Sequence, residues 1–330
     1  SLTLLVEPMD NVASVGMTVL LPAGAATEPA DQHGAASVLS EMLFRGAGDL
    51  DARQHSDALD KLGVKRTASV HAHHLRIGIT MLGERLDATL PLVTDMITRP
   101  QLTEAAFGPS RDLAIQAIDS LDDEPQQRVM IELKRAHLPD PLGRSSLGEK
   151  SHLQKLTPEQ LRAFHLKSFV PGGTIIALAG ALGFDAVREQ LGDLLDGWSG
   201  RPTPPRPGEA PSRAYHHVKA QTTQQHIGLA YDAPAESDAR SMPQRLAVAV
   251  LSGGMSGRLF TEVREKRGLC YAVMASYTSL PDRGVVLAYS GTTTERAGET
   301  LKVLRHELQR LSDGVEQDEY DRAVVGLKSR

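Results

Sequence analysis

Residues 34–47 read Gly34-Ala-Ala-Ser37-Val-Leu-Ser40-Glu41-Met-Leu-Phe44-Arg-Gly46-Ala47. The apolar side chains of Ala35, Val38, Leu39, Met42 and Leu43 recur at helical spacing, so the stretch predicts an amphipathic helix with one face in a core. Working outward, parts of this region recur later in the chain. Val15-Gly16-Met17 matches Ile227-Gly228-Leu229, Pro22-Ala23 matches Pro234-Ala235, and Val38-Leu39-Ser40 matches Val250-Leu251-Ser252, at one constant offset and without a gap. Such self-similarity points to duplication. Each copy opens with an alternating strand, crosses a polar loop and enters a helix. That order predicts an α+β fold of two similar tandem domains, each an antiparallel sheet covered by helices on one face.

Between the copies lies Trp198-Ser-Gly-Arg-Pro202-Thr-Pro204-Pro205-Arg-Pro207-Gly208. Prolines at this density exclude helix and favour an extended spacer. The expected organisation is therefore a domain over 1–198, a Pro-rich linker over 199–213 and a second domain over 214–330. Within the first domain, 17–22 and 69–82 read as strands and 52–62 as a helix stopped by Gly63. Residues 102–137 read as helix interrupted near 122–125, and Thr157-Pro158 caps another. Val170 to Gly180 reads as a returning strand.

The chain has 330 residues, 41% of them hydrophobic, enough for two cores. With 36 basic and 41 acidic residues, a net charge of −5 and 4% aromatic residues, it lacks the basic stripe and stacking platforms of a nucleic-acid binder. No apolar run approaches the ~20 residues that cross a bilayer, so no membrane role is expected. The single Cys270 permits no internal disulfide, which suits a bacterial cytoplasm or periplasm. The first residue is Ser1 rather than Met, which leaves prior removal of a leader open.

Residues 34–47 resemble the helix that carries the inverted zinc motif H-x-x-E-H of M16 peptidases, in which the helix reads roughly G-x-A-H-F-L-E-H-M-L-F-K-G-T. Gly34, Met42-Leu43-Phe44 and Gly46 keep the frame, while Ser37, Ser40 and Glu41 occupy the His, Glu and His positions. The family's third zinc ligand is a Glu on a later helix. Here that stretch reads Arg111-Asp-Leu-Ala-Ile-Gln116-Ala117-Ile118, with Asp123 and Pro125 following, so Gln116 and Ala117 replace the acidic pair. Zinc hydrolysis needs about three protein ligands, a polarised water and a base. The resemblance thus implies a degenerate site at Ser37, Ser40, Glu41 and Ala117, with no metal and no cofactor in this chain.

Residues 251–273 are similar to the family's C-domain signature L-G-x-G-x-S-S-R-L-F-x-x-V-R-E-x-x-G-L-x-Y. In active relatives its Arg and Tyr hold the substrate carbonyl beside zinc, roles that fall here on Arg264 and Tyr271. Both can donate hydrogen bonds to a developing oxyanion. On spacing alone Arg264 reads as a surface charge and Tyr271 as a strand residue. Ser252–Gly257, rich in Gly and Ser, is a candidate anion-binding loop, although it lacks the nucleotide-loop pattern. Against the family's length, the second domain reads as incomplete at Arg330.

Together these features imply a non-zinc subunit of a heteromeric zinc metallopeptidase. Zinc is expected in an M16 partner of a heterodimer, with a peptide enclosed by the pair, gripped by strand addition, and Arg264 and Tyr271 given to the partner's site. The alternatives are a non-catalytic peptide-binding or scaffold protein of the same fold, with a homodimer as its simplest assembly, or an enzyme using His71, His73 and His74 as a relocated metal site. In an extended strand His71 and His73 share a face about 7 Å apart, but no carboxylate stands near them at ligand spacing. His216, His217 and His226 have no assigned role.

Overall fold

A computed structural model of the chain describes residues 1–220 and 222–329. It divides into two compact units, the first formed by Ser1–Ser120 and Pro139–Glu209, the second by Leu121–Leu138 and the chain from Ala210 onward.

The first unit contains β1 (Thr3–Pro8), β2 (Ser14–Leu21), α1 (Ala35–Met42), β3 (Gly46–Ala47), β4 (Leu50–Asp51), α2 (Ala52–Lys61), β5 (Lys65–Val70), β6 (Leu75–Leu82), α3 (Leu86–Thr98) and α4 (Glu104–Asp119). Helix α5 (Pro125–His137) falls in the second unit; α6 (Lys150–Leu153), α7 (Pro158–Ser168), β7 (Ile175–Gly180) and α8 (Phe184–Leu194) return to the first. Five strands form one sheet in the order β1-β7-β2-β6-β5. All its pairs are antiparallel except β1 with β7, which run parallel in the register Thr3↔Ile175 to Pro8↔Gly180. The sequence reading anticipated the antiparallel sheet but not this pair.

Period-two alternation explains the burial. Val15, Met17, Val19 and Leu21 of β2 and Leu75, Ile77, Ile79 and Met81 of β6 all point into the core, against α1 residues Ala35, Val38, Leu39 and Met42. Helix starts follow local chemistry. Asp51 caps α2 and Thr157 caps α7, each in a reciprocal capping box with the residue three positions on, Gln54 and Gln160. Gly63 ends α2 at φ 70, as read from the sequence.

The second unit contains α5, β8 (Gln224–Ala233), α9 (Ser241–Ser252), β9 (Cys270–Ser279), β10 (Gly284–Thr293), α10 (Ala297–Arg310) and α11 (Gln317–Lys328). Its strands pair antiparallel in the order β8-β10-β9. The repeat seen in the sequence is structural: β2 corresponds to β8 and α1 to the end of α9. Val248, Leu251, Leu259 and Leu304 cover the face that carries Val286, Ala288 and Ala275.

Helix α5 lies on the other face of this sheet. A Cβ on Gly228 of β8 would stand 3.1 Å from both Val129 and Leu133, so the glycine admits the helix. Central strand β10 is consequently buried along nearly its whole length. The sequence boundaries put α5 with the first domain and helices on a single face; packing gives the second sheet a helix on each side. The long helical stretch is broken where expected, and its second half belongs to a different core.

Among the described residues no helix is long and apolar enough to cross a membrane.

Candidate functional site

Helix α1 packs against α4, so the two helices that carry the degenerate positions are neighbours. Ser40 is only 9% exposed, and its hydroxyl donates to the carbonyl oxygen of Ser37 at 2.7 Å. Ser37 is half-buried, Glu41 exposed and Ala117 half-buried on α4, next to exposed Gln116. The site offers two neutral hydroxyls, one solvated carboxylate and a methyl group. This donor set contains no imidazole, and one hydroxyl is committed to the helix backbone. It does not fit catalytic zinc.

The frame that holds α1 is intact. The Glu28 carboxylate, 5% exposed, accepts from the backbone N–H of Gly34 at 3.0 Å and of Ala36 at 2.8 Å, tying up orphan donors at the helix start. Burial pushes its pKa up to about 7, against the opposite pull of those two amides and of Arg144. Arg144 itself donates to the Glu28 carbonyl oxygen at 2.8 Å and forks onto Asp140 at 2.7 and 2.8 Å. Gly34 sits at φ 105 and Gly148 at φ 84, and the two backbones cross so closely that a Cβ on Gly148 would lie 2.2 Å from the Gly34 Cα. One crossing thus requires glycine at both positions.

Arg264 and Tyr271 stand in the second unit. Arg264 lies in a π-helical turn, Phe260–Glu265, where Lys266 N–H bonds back to Thr261 at 2.9 Å. Such wide turns recur at functional sites. The exposed guanidinium is held over the Phe260 ring, 4.9 Å from its centroid. Tyr271 is 70% exposed. The β9–β10 register passes from Gly291↔Ala272 to Thr292↔Cys270, leaving Tyr271 as the extra residue of a bulge. Bulges re-aim side chains, and the flanking Leu269 and Cys270 anchor this one in a small cluster with Val263. Arg264 is exposed, as spacing alone allows, whereas Tyr271 lies in a strand but not in the core.

The other readings fare differently. His71–His74 do not lie in a strand but make the turn between β5 and β6, where His71 N–H bonds to the His74 carbonyl at 2.8 Å. Consecutive residues of a tight turn do not share a strand face, so the expected common face for His71 and His73 is absent. Burial lowers the His74 pKa, and the neighbouring imidazoles add to it. Ser252–Gly257 is a mostly exposed turn between α9 and the π-helical turn. Sequence reasoning did not single out His33, Glu149 and His152, whose ligand atoms lie within 4.8 Å of one another. Their only local signal is the one-turn spacing of Glu149 and His152.

Comparison with known proteins agrees with the frame. Residues 4–150 match the family described as "Insulinase (Peptidase family M16)", and residues 155–327 match "Peptidase M16 inactive domain". The chain belongs to peptidase family M16. An uncharacterized zinc protease of Streptomyces coelicolor is 29% identical over 339 residues, spanning 99% of this chain and 74% of that protein. The crystal structure of a peptidase M16 inactive domain from Pseudomonas fluorescens superposes with a TM-score of 0.90 at 22% identity, over 98% of this chain and 80% of that one. A protease from Helicobacter pylori gives 0.88 at 20% identity, over 99% and 82%. At these identities the two structures attest the fold.

Proposed function

We propose that this chain is the zinc-free subunit of a heteromeric M16 peptidase. The observation that carries the reading is an asymmetry of preservation. The α1–α4 frame is kept by Glu28, Gly34 and Gly148 while the ligand positions retain no imidazole and a single exposed carboxylate, Glu41; the second unit keeps Arg264 and Tyr271 exposed on irregular backbone. Zinc and the general base reside in an intact partner. This chain encloses the peptide with it, offers edge strands to extended substrate, and gives two hydrogen-bond donors to the carbonyl under attack.

Native mass spectrometry of the untagged protein from its own host tests this. The expected species is a heterodimer with an M16 partner that takes its catalytic zinc with it on dissociation. A monomer or homodimer overturns the reading in favour of a peptide-binding or scaffold protein.

A further inference from the structure

We propose that His33, Glu149 and His152 form a second, non-catalytic site for a zinc-class divalent cation, one that ties the entry of α1 to the turn of α6. The three residues offer two imidazoles and a carboxylate, a donor set suited to zinc or cobalt. Their ligand atoms already lie within 4.8 Å of one another. Tetrahedral zinc with bonds of about 2.1 Å spaces its ligands about 3.4 Å apart, so a contraction of at most about 1.4 Å closes the set. His33 Nδ1 is 3.7 Å from Glu149 Oε1, and the His33 and His152 rings meet edge to face at 4.7 Å between centroids.

The scaffold is stiff where precision matters. His33 precedes Gly34 and Glu149 follows Gly148, so the glycine crossing fixes the distance between the two ligand-bearing segments. Glu149 N–H donates to the His33 carbonyl at 3.1 Å, and His33 N–H donates to His152 Nδ1 at 3.3 Å. Glu149 is the extended N-cap of α6 and His152 lies in the turn that follows it. All three side chains are half-buried, dry enough to favour coordination and open enough for an ion to enter.

A second observation points the same way: His33 Nε2 is buried without a hydrogen-bond partner. A buried orphan nitrogen is costly, and a metal bound at Nε2 would give it the partner it lacks. The Arg144 charge disfavours positive charge at His33 and Glu149 opposes that effect; Arg144 is itself paired with both carboxylate oxygens of Asp140, and Lys150 with Asp119. A metal taking His152 Nδ1 displaces only the long bond from the His33 amide. The site owes nothing to the degenerate positions and does not depend on the proposed partnership.

The experiment uses the untagged full chain, stripped with chelator and titrated with Co2+ and then Zn2+. One Co2+ per chain with visible d–d bands is expected, displaced by Zn2+, together with a rise of several degrees in melting temperature at about a hundredfold excess over Kd. Glu149→Gln and His152→Gln, both at half-exposed positions, should each weaken binding by about a hundredfold or more while far-UV circular dichroism stays unchanged. His71→Gln, in the β5–β6 turn, should leave binding intact. Absence of Co2+ bands, or binding that survives both Glu149→Gln and His152→Gln, or binding abolished by His71→Gln, overturns the site.

Discussion

The hydroxyl of Ser40 donates to the carbonyl oxygen of Ser37 at 2.7 Å, so two positions that the family resemblance assigns to zinc chemistry are bonded to each other along one helical turn. A serine back-bonded to its own helix is closed to outside partners and contributes little to helix stability. Ser37→Ala and Ser40→Ala are therefore expected to shift stability by no more than about 0.5 kcal/mol, and to leave the turnover of the assembled peptidase unchanged. A tenfold loss of turnover in either variant would show that the hydroxyls take part in the chemistry.

Arg264 and Tyr271 are expected to behave oppositely. Losing one oxyanion donor typically costs about 10²–10³ in kcat. Arg264→Ala and Tyr271→Phe should each lower kcat of the pair on that scale without changing the heterodimer fraction by size-exclusion chromatography. Full activity in both variants removes the shared-site role.

The pKa of Glu28, pushed up to about 7 in the fold from an ordinary 4.5, makes stability depend on pH. Between these values the folded chain holds a proton that the unfolded chain has released, so this group's contribution falls as pH rises from 4.5 to 7. The full difference is about 3 kcal/mol. The lowered pKa values of His33, His74 and His165 push the other way, since the unfolded chain binds more protons at those groups. The diagnostic is thus the wild-type minus Glu28→Gln difference in urea midpoint at pH 5 and pH 7.5. Identical slopes in the two proteins refute the assignment.

In the second unit, Arg258 is 5% exposed and forks onto Glu319, 12% exposed, at 2.7 and 2.6 Å, joining the start of the π-helical turn to α11. The guanidinium holds the Glu319 pKa down to about 2. This lowered value contributes stability above pH 4.5 that is lost as pH falls toward 2. Arg258→Ala leaves the half-buried Glu319 carboxylate with the Glu316 N–H as its remaining donor, at a cost of about 1–3 kcal/mol, measurable as an early transition in thermal unfolding. A shift below about 1 kcal/mol would show the pair to be solvated.

Gly148→Ala should be among the most damaging changes to the first unit. Its Cβ would lie 2.2 Å from Gly34 Cα on a residue at φ 84, so both backbone and neighbour must move. Gly183→Ala, where a Cβ would meet nothing within 4 Å, is the matched control. Comparable melting temperatures for the two variants would disprove the close crossing.

Much of the fold was legible in local pattern. The 3.6 period of 34–47, the capping signal at Thr157 and the stop at Gly63 are short-range preferences, and each appears in place. The parallel β1–β7 pair was not legible, because Thr3 and Ile175 are far apart in the chain and no local pattern encodes their pairing. The same holds for α5: Val129 and Leu133 show an apolar face, but nothing in their spacing says that its partner is Gly228.

The sequence by itself determined the family, through the frame of Gly34 and Met42-Leu43-Phe44 and the run 251–273, and it determined that the zinc positions carry no imidazole and only one carboxylate, Glu41. Residue identity alone decides whether a side chain can be an imidazole or a carboxylate. Only tertiary structure decided that Tyr271 stands on a bulge, that His71–His74 form a turn, and that His33 meets Glu149 and His152. Each of these depends on strand register or on backbone segments far apart in the chain. Such relationships are set by packing, which no local run of residues encodes.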